Sequence, residues 1–436
     1  MNPQSQRLIE FLTAHGMASS SQIQAALKVS QPTVSRLLAS VADDVIACGS
    51  GKASRYAVAQ PIGRFPAQQP IWLIAENGLP TRLGTLSLLA KSQLHIEAPG
   101  VNEVFEPTQA AQLPWYLSPL RAQGYLGRLL AQQLAAQGLA PNPDTWGSES
   151  VLLAAIHTHD APGALLLGEV AAHHPARPLA LPTLNPGAVL DHLASDVAKT
   201  LPMGSSAGGE QPKFLATNEA GDPCLVKFSP PRGTPFGERW SDLLCAEALC
   251  NEVLTRHGSS TAQSHIVQTA TRTYLVSQRF DRVGRYGRQH IVSVGAAHAA
   301  FVKGGYVNWA ATADVLVRQG RLKKEEAETL RTHLHFGRLI GNTDMHSGNA
   351  GLFVKGATLA ELSKGQFALA PVYDMLPMRW KPDPMVGLPD YAPFELDFSL
   401  ATQASTSAAR NFWMSLAEHP LVSRSLQEVA AVITDR

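Results

Sequence analysis

Cysteine is scarce in this 436-residue chain, at four residues: Cys48, Cys224, Cys245 and Cys250. They form no C-x-x-C pair and no zinc-ligand spacing, which excludes a disulfide scaffold and a zinc module and leaves reduced core thiols as the expected state. No uninterrupted apolar run approaches the roughly 18 residues of a membrane span, and the opening MNPQSQRLIEFL lacks the apolar stretch of a secretory leader. No membrane partner and a cytoplasmic location are therefore expected. An excess of charge is missing too, with 36 Lys and Arg against 35 Asp and Glu, so any nucleic-acid contact must come from a local basic patch. The Walker pattern G-x-x-x-x-G-K-[ST] is absent, which disfavours a P-loop NTPase. Repeats and low-complexity tracts are absent as well. What remains is 45% apolar residues, the composition of a globular chain long enough for two to four domains at roughly 150 residues each.

Residues 1–60 read as one unit. SQRLIEFLTAHG spaces Leu8, Ile9, Phe11 and Leu12 as a helix and stops at Gly16. Three serines then offer N-caps for a second short helix, SQIQAALKV. A brief turn leads to SQPTVSRLL, with Ser30 as N-cap and Pro32 in the first turn, where its missing N–H costs nothing. VIACGSGKASRYAV supplies two extended runs around a Gly/Ser/Lys turn, the pattern of a β-wing. Together these resemble a winged helix-turn-helix. The major groove admits one helix, whose early residues must carry donors and acceptors for base edges. Gln31, Thr33, Ser35 and Arg36 supply them, while Val34, Leu37 and Leu38 face a core. Lys52 and Arg55 on the wing would neutralise phosphates. DNA is an expected partner, and a helical protein-interaction module is the plainer alternative.

The Pro/Gln-rich stretch 61–70 reads as a linker, and 71–150 as an α+β module without evident chemistry. Beyond it, four pieces carry chemistry. GNTDMHSGNAGLF places Asp344 five residues before Asn349, the spacing of a kinase catalytic loop, in which the carboxylate takes a hydroxyl proton and the amide oxygen holds Mg2+. In LAPVYDMLP, Asp374 follows an apolar run, as a second metal-binding carboxylate would. The small residues of LPMGSSAGGEQPKF (Ser205, Ser206, Ala207, Gly208 and Gly209) permit backbone N–H groups to approach phosphate oxygens. Lys227 interrupts the strand-like CLVKFSP, and an inward lysine must be paired. Glu247 on the helix WSDLLCAEALCNEVL is its natural partner, with Glu252 the alternate. Each piece alone has an ordinary structural reading, as a turn, a cap, a loop or an edge lysine. Their order is that of a kinase. The expected fold is α+β and two-lobed, with a small mixed lobe over 151–280, a largely helical lobe over 281–436, and ATP between them.

With these residues in place, the chain resembles the HipA-like serine/threonine kinases of toxin–antitoxin systems. SSAGGEQPK is similar to that family's S-x-x-G-x-Q-x-K loop, in register from Ser206 to Lys213. VSQRFDR resembles its E-R-F-D-R hinge, GNTDMHSGN its T-D-x-H-x-x-N loop, and PVYDMLP its P-x-Y-D-x-L segment. AAIHTHDAPGALLLG resembles a family stretch before the kinase core. The resemblance spans roughly residues 70–430, and the fused N-terminal unit resembles the HipH (YjjJ) branch. It implies Asp344 as catalytic base, Asn349 and Asp374 as Mg2+ ligands, and Lys227 on the α/β-phosphates. It also implies an adenine hinge at Gln278, Arg279 and Phe280, with His346, Glu210, Gln211 and Lys213 near the nucleotide. Ser206 matches a loop serine whose autophosphorylation ejects the loop and silences the kinase. A phosphate there would add about two negative charges where ATP phosphates sit. The chain departs from the pattern at Gln278, at Ser205, which competes with Ser206 for modification, and at Glu210, an acid among phosphates.

The activity so implied is that of a growth-inhibiting toxin that phosphorylates Ser/Thr on itself and on a protein target, which in relatives is a translation component. Its DNA-binding unit would serve autoregulation. A separate antitoxin protein and a homodimer are partners the sequence leaves open. Two other readings stand beside it: a DNA-binding regulator that only senses nucleotide, and a small-molecule phosphotransferase. His157, His159 and Asp160, taken as strand residues, hint at a metal site but lack a third ligand of suitable spacing, so a structural role is expected.

Overall fold

Side-chain oxygens start the first helices. In the computed structural model, which describes residues 2–49, 51–108, 112–169, 179–181, 186–200, 211–383 and 385–435, Asn2 accepts the Ser5 N–H at 2.7 Å and caps helix Pro3–His15. Ser19 and Gln22 form a capping box at helix Ser20–Leu27. Ser30 occupies the cap position of helix Gln31–Ser40, its hydroxyl bonded to the Thr33 hydroxyl at 3.1 Å and not to a backbone N–H. Leu8, Leu12, Ile23 and Val34 meet in a fully buried cluster. Three short strands lie beside the helices in the order Ala18–Ser19, Arg55–Val58, Val45–Cys48. Gln31, Ser35, Arg36 and Arg55 are exposed and Thr33 is half-buried, while the Lys52 side chain lies outside the described residues.

This unit is docked on its neighbour. Ile46, Cys48 and Ala57 share a buried cluster with Leu89, and the Gly49 N–H donates to Asn102 at 2.7 Å. The expected linker 61–70 is packed as well. Ile62 is fully buried and bridges to Phe65, and strand Gln68–Ile74 has begun before the stretch ends.

A five-stranded antiparallel sheet follows, in the order Val101–Phe105, Leu94–Ala98, Pro80–Leu88, Gln68–Ile74, Leu165–Leu167. Its last member corrects the boundary expected at residue 150. Three consecutive leucines, all buried, fill the edge of this sheet, and helix Ser148–His157 packs with them. His157 therefore ends a helix and is no strand residue: the alternation His-Thr-His is too short to outweigh the helical run SESVLLAAI before it.

The second five-stranded sheet runs Ser264–Gln268, Thr273–Gln278, Pro223–Phe228, Lys213–Thr217, Leu179–Ala180, antiparallel except for the last pair. Helix Pro235–Arg256 crosses it, and helices Trp309–Arg318, Lys324–Leu339, Gln403–Ala417 and Arg424–Thr434 dominate the rest. The two sheets are joined by a buried ion cluster. Arg279 reaches Asp160 at 2.8 Å and Asp281 at 3.0 Å, and Arg282 reaches both acids at 2.7 Å. Burial alone would raise the Asp281 carboxyl, but Arg279 and Arg282 hold it well below the usual carboxylate range. Among the described residues no group of three or more His, Cys, Asp or Glu could hold a metal, and Asp160 belongs to this cluster. Among them, too, no helix is long and apolar enough to cross a membrane.

Two histidines make the fold acid-sensitive. His290 Nε2 lies 2.8 Å from the Tyr116 carbonyl, and its Nδ1 accepts the Ala164 N–H at 3.3 Å. Burial lowers both His290 and His333 to about 4. Each ring folds neutral, while the unfolded chain takes up its proton near pH 6.5. Their contribution is present above about pH 6.5 and is lost as the pH falls towards 4, on the order of 3 kcal/mol each. Urea unfolding should show stability dropping between pH 7 and 5, and His290→Gln should flatten that slope. An unchanged slope would contradict the assignment.

Candidate active site

Strand Pro223–Phe228 delivers Lys227 into the interior between Leu275 on one neighbour and Lys213 on the other. Its ammonium sits 2.6 and 2.7 Å from the two oxygens of Glu247 and also contacts an oxygen of Asp374. Glu247 is carried by helix Pro235–Arg256, whose 22 residues start at a Thr234 cap. Glu252 instead faces outward and pairs with Arg256 at 3.6 Å, so it is not the lysine's partner. Burial works against the Lys227 charge, but Asp374 and Glu247 raise its pKa above the ordinary lysine value. Burial would raise Asp374 as well, yet Lys227, then Lys213, bring it down to about 2. Glu247 moves the other way. Only 4% of its side chain is exposed against 30% for Asp374, so burial raises it despite the pull of Lys227. One ammonium cannot fully compensate two carboxylates, so the two carboxyls move in opposite directions.

Asp374 has φ +53°, a left-handed backbone that costs a non-glycine residue about 1 kcal/mol or more and is found where function imposes it. Neighbours hold it there. The Tyr373 hydroxyl donates to Gly348 O at 2.8 Å, the Asn342 amide lies 3.4 Å from Asp374 O, and Phe280 packs on the Tyr373 ring at 5.6 Å.

The loop bearing Asp344 opens where helix Lys324–Leu339 ends and Gly341 turns the chain at φ +74°. Asn342 Oδ1 accepts the Asp344 N–H at 3.0 Å, and Asn349 Nδ2 donates to Asp344 O at 2.7 Å. The loop is thus closed through backbone atoms, with the Asp344 carboxylate half-exposed and 3.9 Å from His346 Nε2. Trp309 fixes His346 O from outside at 2.9 Å. Since Asn349 spends its amide nitrogen inward, its carbonyl oxygen faces the other way. An amide oxygen beside a carboxylate is an all-oxygen donor set, the kind that suits Mg2+, which keeps several waters and takes further ligands from substrate phosphates.

Lys227, Glu247 and Asp374 are thus in direct contact, and Asn342, which reaches both Asp374 O and the Asp344 N–H, ties the loop of Asp344 and Asn349 to them. The expected phosphate loop, Ser205, Ser206, Ala207, Gly208, Gly209 and Glu210, lies outside the described residues. The hinge is narrower than its motif suggests. The N–H groups of Gln278 and Arg279 donate to Gln263 O and Pro223 O, and the Arg279 side chain is spent in the ion cluster. Phe280 remains as the packed ring. Sequence reasoning missed Asn342 and Tyr373, which position the loops, and Arg239 and Asp242, which position the helix of Glu247. A buried arginine and aspartate inside an apolar helical stripe were the available signal for the last two.

Residues 205–435 match a family model described as the HipA-like C-terminal domain, and residues 65–175 one described as the YjjJ-like toxin, middle domain. Toxin YjjJ of Escherichia coli K12 is 34% identical over 444 aligned positions, covering 98% of this chain and 96% of its own. A chain from the solved complex of the Shewanella oneidensis MR-1 toxin–antitoxin system HipA and HipB with its operator DNA superposes with a TM-score of 0.53. That match covers 84% of this chain and 95% of the other at 15% identity, a likeness of fold.

Proposed function

The chain belongs to the HipA-like toxin family, and from that premise we propose that it is an ATP- and Mg2+-dependent serine/threonine protein kinase with a DNA-binding winged helix-turn-helix at residues 1–60. The observation that carries this is the buried contact of Lys227 with both Glu247 and Asp374, which Asn342 ties to the loop that Asn349 closes on Asp344 O. A lysine so enclosed by two acids is poised to trade one of them for nucleotide phosphates. Asn349 and Asp374 would hold Mg2+, which supplies charge neutralisation for the β- and γ-phosphates. Asp344 accepts the proton of the attacking hydroxyl, the γ-phosphoryl group passes to that oxygen, and ADP leaves. Lys227 stays on the α/β-phosphates, His346 stands at the open side of the loop, and Ser206 or Ser205 receives phosphate in the chain's own regulatory loop.

Labelled ATP tests this. The wild-type chain should incorporate phosphate at Ser205 or Ser206, mapped by mass spectrometry, and Asp344→Ala should incorporate none. Incorporation by neither would favour a nucleotide-sensing regulator. Transfer to a small aminated acceptor, with none to serine, would favour a small-molecule phosphotransferase.

The DNA-binding reading is supported by the outer face of helix Gln31–Ser40, where Gln31, Ser35 and Arg36 are exposed while Val34 and Leu37 are buried. Operator DNA would serve autoregulation, in cis with the kinase. A mobility-shift titration with the chain's own promoter should weaken by at least about tenfold in Arg36→Ala, the worth of one good base contact. Binding no tighter than to random DNA would remove the reading. A translation-component target, a separate antitoxin and a homodimer stay within the same proposal.

A further inference from the structure

The chain beyond Asp374 forms a strap whose ends are fastened and whose middle is turned outward. Arg379 N–H donates to Gly341 O at 3.0 Å, three residues before Asp344. Phe394 lies so close over Gly341 that a Cβ there would come within 2.8 Å of its ring. From the helix that carries Glu247, Arg239 donates to Trp380 O at 2.9 Å and Pro389 O at 2.7 Å, with its guanidinium 3.8 Å from the centre of the Tyr391 ring. The Tyr391 hydroxyl donates to Asp242 at 2.6 Å.

Between these anchors and just past Phe394, large apolar side chains face solvent. Met385 is 95% exposed, Val386 90%, Leu400 59% and Phe398 48%. Their turns are stiffened locally. Asp383 accepts the N–H groups of Met385 at 2.7 Å and Val386 at 3.0 Å, and Asp397 that of Ser399 at 2.9 Å. So many exposed large apolar side chains within one short stretch mark an interaction surface. The charge says of what kind. Residues 382–400 contain Asp383, Asp390, Glu395 and Asp397 and no Lys, Arg or His. The cations that act on these acids lie outside the stretch: Arg338, on the helix leading into the Asp344 loop, on Asp397, and Lys381 on Asp383. Carboxylates so spread would repel nucleic acid, and among the described residues they form no group that could hold a metal.

We propose that residues 382–400 dock the protein substrate, and that they take a segment carrying lysine or arginine together with apolar side chains around its phosphoacceptor. This rests on the kinase reading and names the substrate class it left open. The surface is pre-formed around the buried side chains of Arg239, Trp380 and Phe394, so binding orders little of the enzyme itself. These anchors tie it to Gly341 and to the helix of Glu247.

Fluorescence anisotropy with the full chain tests it, using short labelled serine peptides. One carries lysine and leucine, a second glutamate and leucine, a third lysine and glycine. The lysine–leucine peptide should bind at least about tenfold tighter than either other, a difference of about 1.4 kcal/mol. Asp390→Lys with Glu395→Lys should abolish the preference over the glutamate peptide, and Met385→Ser with Val386→Ser the preference over glycine. All four positions are exposed, so melting temperature should not move. Equal binding of the three peptides, or indifference to both double variants, would overturn the proposal. Phosphate transfer to the same peptides separates the two readings. Selective binding without transfer sinks the kinase and leaves the docking surface, whereas transfer without selectivity does the reverse.

Discussion

Asp344→Asn should lower phosphate transfer about a thousandfold while ATP affinity stays within about twofold, since a general base contributes roughly 10²–10⁴ to the rate. The loop around Asp344 is held by its backbone, through Asn342 Oδ1 and Asn349 Nδ2. An amide at 344 keeps that frame and the carboxylate's shape. It cannot take the hydroxyl proton. The loss therefore belongs in kcat and not in nucleotide binding. Single-turnover transfer from labelled ATP beside calorimetric ATP titration makes the division. A rate within about tenfold of wild type would show that 344 is no base. A collapse of ATP binding would show that it is structural.

Lys227→Met should be the most damaging single change in the chain. It leaves Glu247, 3% exposed, and Asp374 without the ammonium they share. Breaking a buried pair from one side costs about 3–5 kcal/mol. The pH dependence gives this loss a signature. In the wild type, Asp374 is lowered to about 2, so its contribution is present above the ordinary carboxylate value and is lost only as the pH falls through 2. In the variant both carboxyls lose the Lys227 ammonium, keep only the weaker pull of Lys213, and rise. Their protonation then relieves the strain, so the deficit in urea unfolding should be largest near pH 7.5 and should shrink by pH 5. Glu247→Gln, which keeps the Lys227 contact with Asp374, should cost less. A deficit independent of pH would mean that packing around the methylene chain, and not charge, is what Lys227 supplies.

The chemistry was more legible in the sequence than the architecture. Lys227, Glu247, Asp344, Asn349 and Asp374 could be picked out because each is a polar residue where local pattern calls for an apolar one or a turn, and their order along the chain restricted what they could do. Glu247 was the first choice as partner of Lys227 and Glu252 the alternate, and only the fold decides between them, with Glu252 on the solvent face. The hinge was less legible. Its motif is present, but Arg279 answers to Asp160 and Asp281 to the Gly163 N–H, each more than a hundred residues away in sequence, and no local pattern reports such pairs. The same holds for Arg239, whose acceptors are carbonyls of a strap far downstream. Strand Leu165–Leu167 was assigned to the small mixed lobe because three apolar leucines suit either sheet equally, and only pairing with Gln68–Ile74 decides.

Calorimetric titration of ATP with and without Mg2+, on the wild type, Asp374→Asn and Asp344→Asn, tests most directly whether these side chains share one nucleotide. Binding should need Mg2+, weaken by at least about tenfold in Asp374→Asn, and persist in Asp344→Asn. Equal affinity with and without the metal, in all three proteins, would mean that the cleft around Lys227 does not hold a magnesium triphosphate.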